Sequence, residues 1–253
     1  MPKWVGNKIG VGATFVANQD AASAIYNLFD QYYAKHIDGW FTDPTGHTAT
    51  GGVISDYTDP GPGNIYRAHI FTSSGTFEIT TLGTFGATVD YLVVGGGGAG
   101  GTASGNPGKG GGGAGGLRTA TGLPVSASSY PVTVGAGGAT TPLGTNSTSR
   151  SGNPSVFSTI TSQGGGGGGN GYGPYYPDAA KSNGAPGGSG GGGGGDSSVE
   201  VVGGTGNRVV NTTNPAPSQG NDGGDGTDGS GADSGGGGGG AGGPGNNAYG
   251  GGW

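Results

Sequence analysis

The apolar positions of this chain follow three successive patterns. Near the N-terminus, Ala21, Ala24, Ile25, Leu28, Phe29 and Tyr32 recur at spacings of three and four, the period of one helical face. Asn18 or Asp20 stands where a capping side chain is wanted, so the pattern predicts a helix over about residues 20–36. Its stripe of Ile25, Leu28, Phe29 and Tyr32 either packs on its own domain or forms an oligomerisation or attachment seam. A chain with so little other core has few places to bury it.

Between residues 53 and 94 the period shortens to two. Tyr66-Arg67-Ala68-His69-Ile70-Phe71 alternates, as does Gly75-Thr76-Phe77-Glu78-Ile79-Thr80, and Val89-Asp90-Tyr91-Leu92-Val93-Val94 ends in an apolar run. Turn signals separate them at Asp59-Pro60-Gly61-Pro62-Gly63 and Ser73-Ser74-Gly75, which predicts a small antiparallel sheet. Beyond Val94 the pattern becomes glycine runs, at 95–101, 110–116, 164–169, 187–195 and 235–243, with shorter pieces at 135–138 and 220–226. Strand-like pieces at Tyr130–Val134 and Val156–Ile160 interrupt them, so the repeat is irregular and has no fixed period. The chain thus divides into three regions: 1–63, an attachment or oligomerisation region with one helix; 64–94, short strands; and 95–253, a glycine-rich domain.

Composition sharpens the last region. Of 253 residues 70 are glycine, 12 of them in residues 1–94 and 58 in residues 95–253, against about 7% in average proteins. Collagen needs a strict three-residue period, which the unbroken run Gly164–Gly169 violates. Disorder is the common reading of glycine-rich low complexity, and an ordered alternative needs a physical account. One is the polyproline-II conformation, in which backbone groups point outward and all-glycine chains can approach closely enough to bond to one another. The expected fold is therefore mainly β and irregular: a short N-terminal helix, a small antiparallel β segment, then a packed bundle of polyglycine II helices joined by loops. Ala99, Ala114 and Ala241 are expected on outward edges of that bundle or between its layers.

In such a fold specificity falls to the loops. The segment Asn170–Asn183 carries Tyr172, Tyr175, Tyr176 and Lys181, and the tail carries Tyr249 and Trp253. Aromatic loop residues supply large, rigid contact area, although tyrosines that merely cover an end of the bundle have the same composition. Loops 102–109, 139–155 and 196–219 are further candidates, and the sequence leaves open which loops share an end.

Other chemistry finds little support. The net charge is −6 and the pI about 4.7, and the nine Lys and Arg form no cluster of the kind nucleic acid requires. Cysteine is absent, which excludes disulfides and thiolate metal sites. No stretch reaches the roughly 18 apolar residues of a membrane span, and the first residues carry no signal-peptide pattern. The chain is expected to be soluble and to reach any extracellular site by a route other than secretion. His36, His47 and His69 lie in unrelated contexts with no nucleophile or metal-spaced partner; no catalytic residue, metal or cofactor is assigned. Asn221–Asp233 has the Gly/Asp content of calcium-binding repeats but lacks the apolar residue each such repeat buries. The sequons at Asn146 and Asn211 are chance matches in an Asn/Thr-rich chain.

The order of pieces is more specific than the glycine content. Tyr66, then His69-Ile70-Phe71-Thr72-Ser73-Ser74-Gly75-Thr76-Phe77, leads to Val89–Val94 and Gly95–Gly101. Gly110–Gly116 is followed by Leu117-Arg118, then Tyr130-Pro131-Val132-Thr133-Val134-Gly135 and Ser155-Val156-Phe157. Over residues 64–253 this resembles the glycine-rich, polyglycine II domain of bacteriophage tail-fibre adhesins. The resemblance implies a virion protein that recognises a host bacterial surface receptor, an outer-membrane protein or glycan, through distal loops. Its other partners would be tail or fibre proteins, with a homotrimer as one candidate assembly, and without nucleic acid or membrane insertion. A structural fibre component and an ice-binding glycine-helix protein are the alternatives. The latter needs a flat, regular face, whereas the threonines here are scattered.

Overall fold

The computed structural model describes residues 45–61, 65–103, 105–172, 179–195, 200–207, 219–227 and 234–249. Residues 1–46 with 83–85 cluster as one unit and 47–82 with 86–253 as another; every strand among the described residues belongs to the second.

Alternation produces strands where the sequence carries it. In β4 (Gly75–Thr81) the inward positions Phe77 and Ile79 are 8% and 1% exposed while Glu78 faces out. β4 lies between β1 (Thr48–Thr50) and β7 (Ser129–Thr133), and β8 (Ser155–Phe157) and β9 (Ile160–Ser162) complete a five-stranded antiparallel sheet in the order β1-β4-β7-β8-β9. Phe77, Ile79 and Val125 form its buried cluster, with Phe71, Tyr130, Val132 and Phe157 packed against it. The Phe77 ring meets Phe157 edge-on at 6.0 Å, a favoured aromatic geometry. Two hairpins join this sheet, β2 (Val53–Thr58) with β3 (Ile65–Ile70) and β5 (Thr88–Val94) with β6 (Leu117–Pro124). The link between β1 and β2 uses Gly51 and Gly52 at φ 101° and 65°, a conformation that a residue with a Cβ adopts only under strain. The Gly51 carbonyl also accepts from His69 Nδ1 at 2.7 Å, and the His69 ring packs on Phe77 at 5.0 Å, so His69 is a framework residue.

Two expectations need correction. The regular structure is antiparallel β-sheet, with 31% strand and 4% helix, and no bundle of polyglycine helices is shown. The glycine runs form neither helix nor strand, and their backbone groups bond to other runs of the array. No N-terminal helix is shown either. The span 20–36, with Ile25, Leu28, Phe29 and Tyr32, lies outside the described residues. Helix among the described residues is confined to single turns at Ser147–Arg150 and Ala179–Ser182. The piece Val156–Ile160, read as one strand, is two: Ser158 turns the chain at φ 55° between β8 and β9. β6 to β9 also lie inside the region 95–253, so sheet and glycine runs interleave along the chain.

Candidate functional site

The glycine runs lie side by side and are joined through their backbones. Gly95, Gly98 and Gly101 donate to the carbonyls of Gly116, Gly113 and Gly110 at 2.8–2.9 Å, so runs 95–101 and 110–116 are antiparallel. Gly110, Gly113 and Gly116 donate onward to Gly169, Gly166 and Gln163, and Gly166, Gly169 and Tyr172 to Ser189, Gly192 and Gly195. Donors to one neighbour stand three residues apart, and the residues between address other neighbours: Gly165, Gly168 and Gly171 donate to Gly96, Ala99 and Thr102. From Gly165 to Tyr172 every backbone N–H has an acceptor, as burial of this stretch requires. A Cβ at Gly166 or Gly169 would run into the backbone carbonyl of Ala185 or Ser182, which is why only glycine fits there. Ala114 and Ala241 are exposed, and Ala99 is half-buried.

These registers assign the loops to ends. Gly95 follows β5, Gly116 precedes β6 and Gln163 follows β9, so these residues mark the sheet end. At the opposite end lie Gly101, Gly110, the stretch Gly169–Tyr172 and Gly195. The chain leaves or re-enters the array there at Thr102 and Gly110, at Gly138 and Arg150, at Tyr172 and Lys181, and at Gly195 and Val201. Gly226 bonds to Val201, Thr227 to Ser234 and Ala248 to Asp225, which brings Thr227, Ser234 and Ala248 to the same end. The turn at 240–243 joins the array at the sheet end instead.

Beneath the loop-bearing end is a buried polar cluster. Arg150 is 0% exposed, Asn170 0% and Tyr172 8%. The Arg150 guanidinium donates from Nη1 to the Gly168 carbonyl at 3.3 Å, and from Nη2 to Thr102 Oγ1 at 3.0 Å and Thr145 Oγ1 at 3.4 Å. Its Nε has no acceptor, and among the described residues no carboxylate pairs with it. Burial pushes its pKa below the ordinary value, with the nearby Tyr172 opposing the shift. Asn170 Oδ1 accepts from the Thr102 amide and hydroxyl at 3.2 and 2.9 Å, while its Nδ2 donates to the Thr145 carbonyl at 2.9 Å and to Tyr172 Oη at 3.4 Å.

The expected contact residues divide accordingly. Tyr172 belongs to the buried cluster, and its hydroxyl faces Asn170 rather than solvent. Lys181 is half-buried on the helical turn, where its carbonyl accepts from Asn170 at 2.9 Å. Tyr249 is 86% exposed. Tyr175, Tyr176 and Trp253 lie outside the described residues. Two other exposed apolar side chains at this end, Leu143 at 41% and Val202 at 44%, belong to the further candidate loops but were not singled out by residue. The Asp222 and Asp225 carboxylates accept from the backbone amides of Gly206 and Gly203 at 2.7 and 2.9 Å. They act as struts between runs, and among the described residues no cluster suited to a metal ion occurs.

The sequence profile of a glycine-rich domain matches residues 72–253. The chain belongs to this glycine-rich domain family. No curated protein and no solved structure matches it. The matched span of the glycine-rich domain takes in β4 to β9 and every glycine run, whereas β1 to β3 precede it.

Proposed function

We propose that this chain is a receptor-binding adhesin of a bacteriophage tail fibre, and that the loop-bearing end of its glycine array meets the host surface. The observation that carries the reading is the gathering of separate loops at one end, where Leu143, Val202 and Tyr249 stand exposed on three different segments. Scattered single apolar residues are ordinary on protein surfaces, but several on loops that share a backbone-locked base are what a recognition surface needs. The resemblance of the ordered pieces to tail-fibre adhesins supplies the host receptor as the partner. Burial of Tyr172 makes it a framework residue of that end, and contact falls to the exposed side chains.

The test is binding of the labelled protein to intact bacteria across a panel of strains. A matched variant carries alanine at Leu143, Val202 and Tyr249, and a control carries Leu92→Ala on the exposed face of β5. Saturable, strain-specific binding that the triple change weakens at least about tenfold, and the control does not, supports the adhesin. Failure to bind any strain that the parent phage infects overturns it and leaves a structural fibre component. The hairpin β2–β3 favours that second reading in one respect: Val53, Tyr57, Tyr66 and Ile70 share one face and are 41–65% exposed, a patch suited to contact with another chain.

A further inference from the structure

Resting on that reading, we propose that Arg150 and Asn170 are positioning residues of the loop-bearing end, a paired clamp that fixes Thr102, segment 139–149 and Tyr172 in a single relative arrangement. Thr102 is held twice, by Arg150 through its hydroxyl and by Asn170 through hydroxyl and amide. Thr145 lies in segment 139–149 and is also held twice, its hydroxyl by Arg150 and its carbonyl by Asn170. Tyr172 is the third point, and it receives the remaining Asn170 donor. Three points far apart in sequence therefore meet at two side chains.

Stability alone does not account for an arginine here. A wholly buried guanidinium without a carboxylate is costly, and well-packed apolar residues at such positions are often as stable or more so. What arginine adds is shape: a planar fork whose donors diverge in fixed directions. Here the fork reaches two loop hydroxyls and the carbonyl of a central glycine run at once. A lysine ammonium lacks that divergence. The clamp couples loops that are separate in sequence, so contact residues on different loops act as one surface with less ordering to complete on binding.

The experiment compares the full chain with Arg150→Met, Arg150→Lys and Thr145→Val by hydrogen exchange, thermal melting and binding to permissive bacteria. In Arg150→Met the expected result is a Tm close to wild type and unchanged exchange in β4 and β7. Exchange in 102–109 and 139–149 should rise about tenfold, with a similar weakening of binding. Arg150→Lys should not restore the loops. Thr145→Val removes one arm of the clamp and should loosen 139–149 alone, which keeps the test decisive if Arg150→Met fails to fold. Unchanged loop exchange in the folded variants overturns the proposal, and so does an equal loosening of loops and sheet, the mark of a merely structural residue. A wild-type protein that binds no strain, while its variants loosen as described, overturns the adhesin reading and leaves the clamp standing.

Discussion

In the five-stranded sheet, Phe77 and Ile79 disappear beneath Tyr130, Val132 and Phe157; in the run Gly164–Gly169 there is no side chain to bury, yet every residue is buried. The sheet excludes water with apolar side chains, a favourable term that grows with the area covered. The glycine array excludes water with neighbouring backbone, and each N–H from Gly165 to Tyr172 must find its acceptor elsewhere along the chain, on another run for most and on Ser151 Oγ for Gly167. Glycine loses more freedom on ordering than any other residue, so the array depends on its hydrogen bonds being complete. The two regions therefore have opposite weaknesses: removal of atoms damages the sheet, and addition of atoms damages the array.

The sharpest break is Gly166→Ala. One methyl group meets the backbone of Ala185 and Gly191, which cannot rotate aside as a side chain can. The expected loss is about 4 kcal/mol, above the usual overpacking cost of about 1–3 kcal/mol, read as a fall in Tm. The same change at exposed Gly97, where a Cβ has no neighbour closer than 3.8 Å, should shift stability by less than about 0.5 kcal/mol. Equal effects at the two positions would mean that the array is not packed through its backbone.

Next in size is Ile79→Ala in the sheet, where a residue 1% exposed leaves a cavity that should cost about 3 kcal/mol in denaturant melts. Asn170→Ala should rank third at about 2 kcal/mol, because it strands the Thr102 amide and the Thr145 carbonyl without a partner.

The smallest effect belongs to the exposed hairpin β2–β3. Arg67 donates to both Asp56 oxygens at 2.8 Å, and these bonds hold the Asp56 carboxyl below its ordinary 3.8. With a folded-state pKa below the unfolded one, the pair's contribution is complete above the ordinary carboxylate range and is lost as pH falls through the lowered value. An NMR titration of the Asp56 carboxyl should show that depression, and Arg67→Met should abolish it with little change in Tm, as befits an exposed pair.

Legibility differed in the same way between the regions. Period-two alternation marked β3 and β4, because a half-buried strand writes its two faces into every second residue, and short apolar runs marked β5 and β7. It did not reveal β6, where Leu117-Arg118-Thr119-Ala120-Thr121-Gly122 carries no alternation and is recruited by pairing with β5. At the candidate site, Tyr249 was legible as an exposed aromatic. Tyr172 was legible as important but not as buried, since an aromatic that anchors a loop and one that presents it look alike in sequence. Arg150 gave no signal, because its neighbours Thr102, Thr145 and Asn170 are brought to it from elsewhere along the chain.

By itself the sequence determined that this chain has one region packed through side chains and one that cannot be, and that side-chain chemistry in the second must lie in its loops. Glycine count, run length and alternation are local quantities, and they report local constraints. Only the tertiary structure decided which run bonds to which and which loops share an end. An all-glycine segment presents the same backbone to every neighbour, so nothing in its own residues selects a partner; the strands and turns at its two ends make that selection.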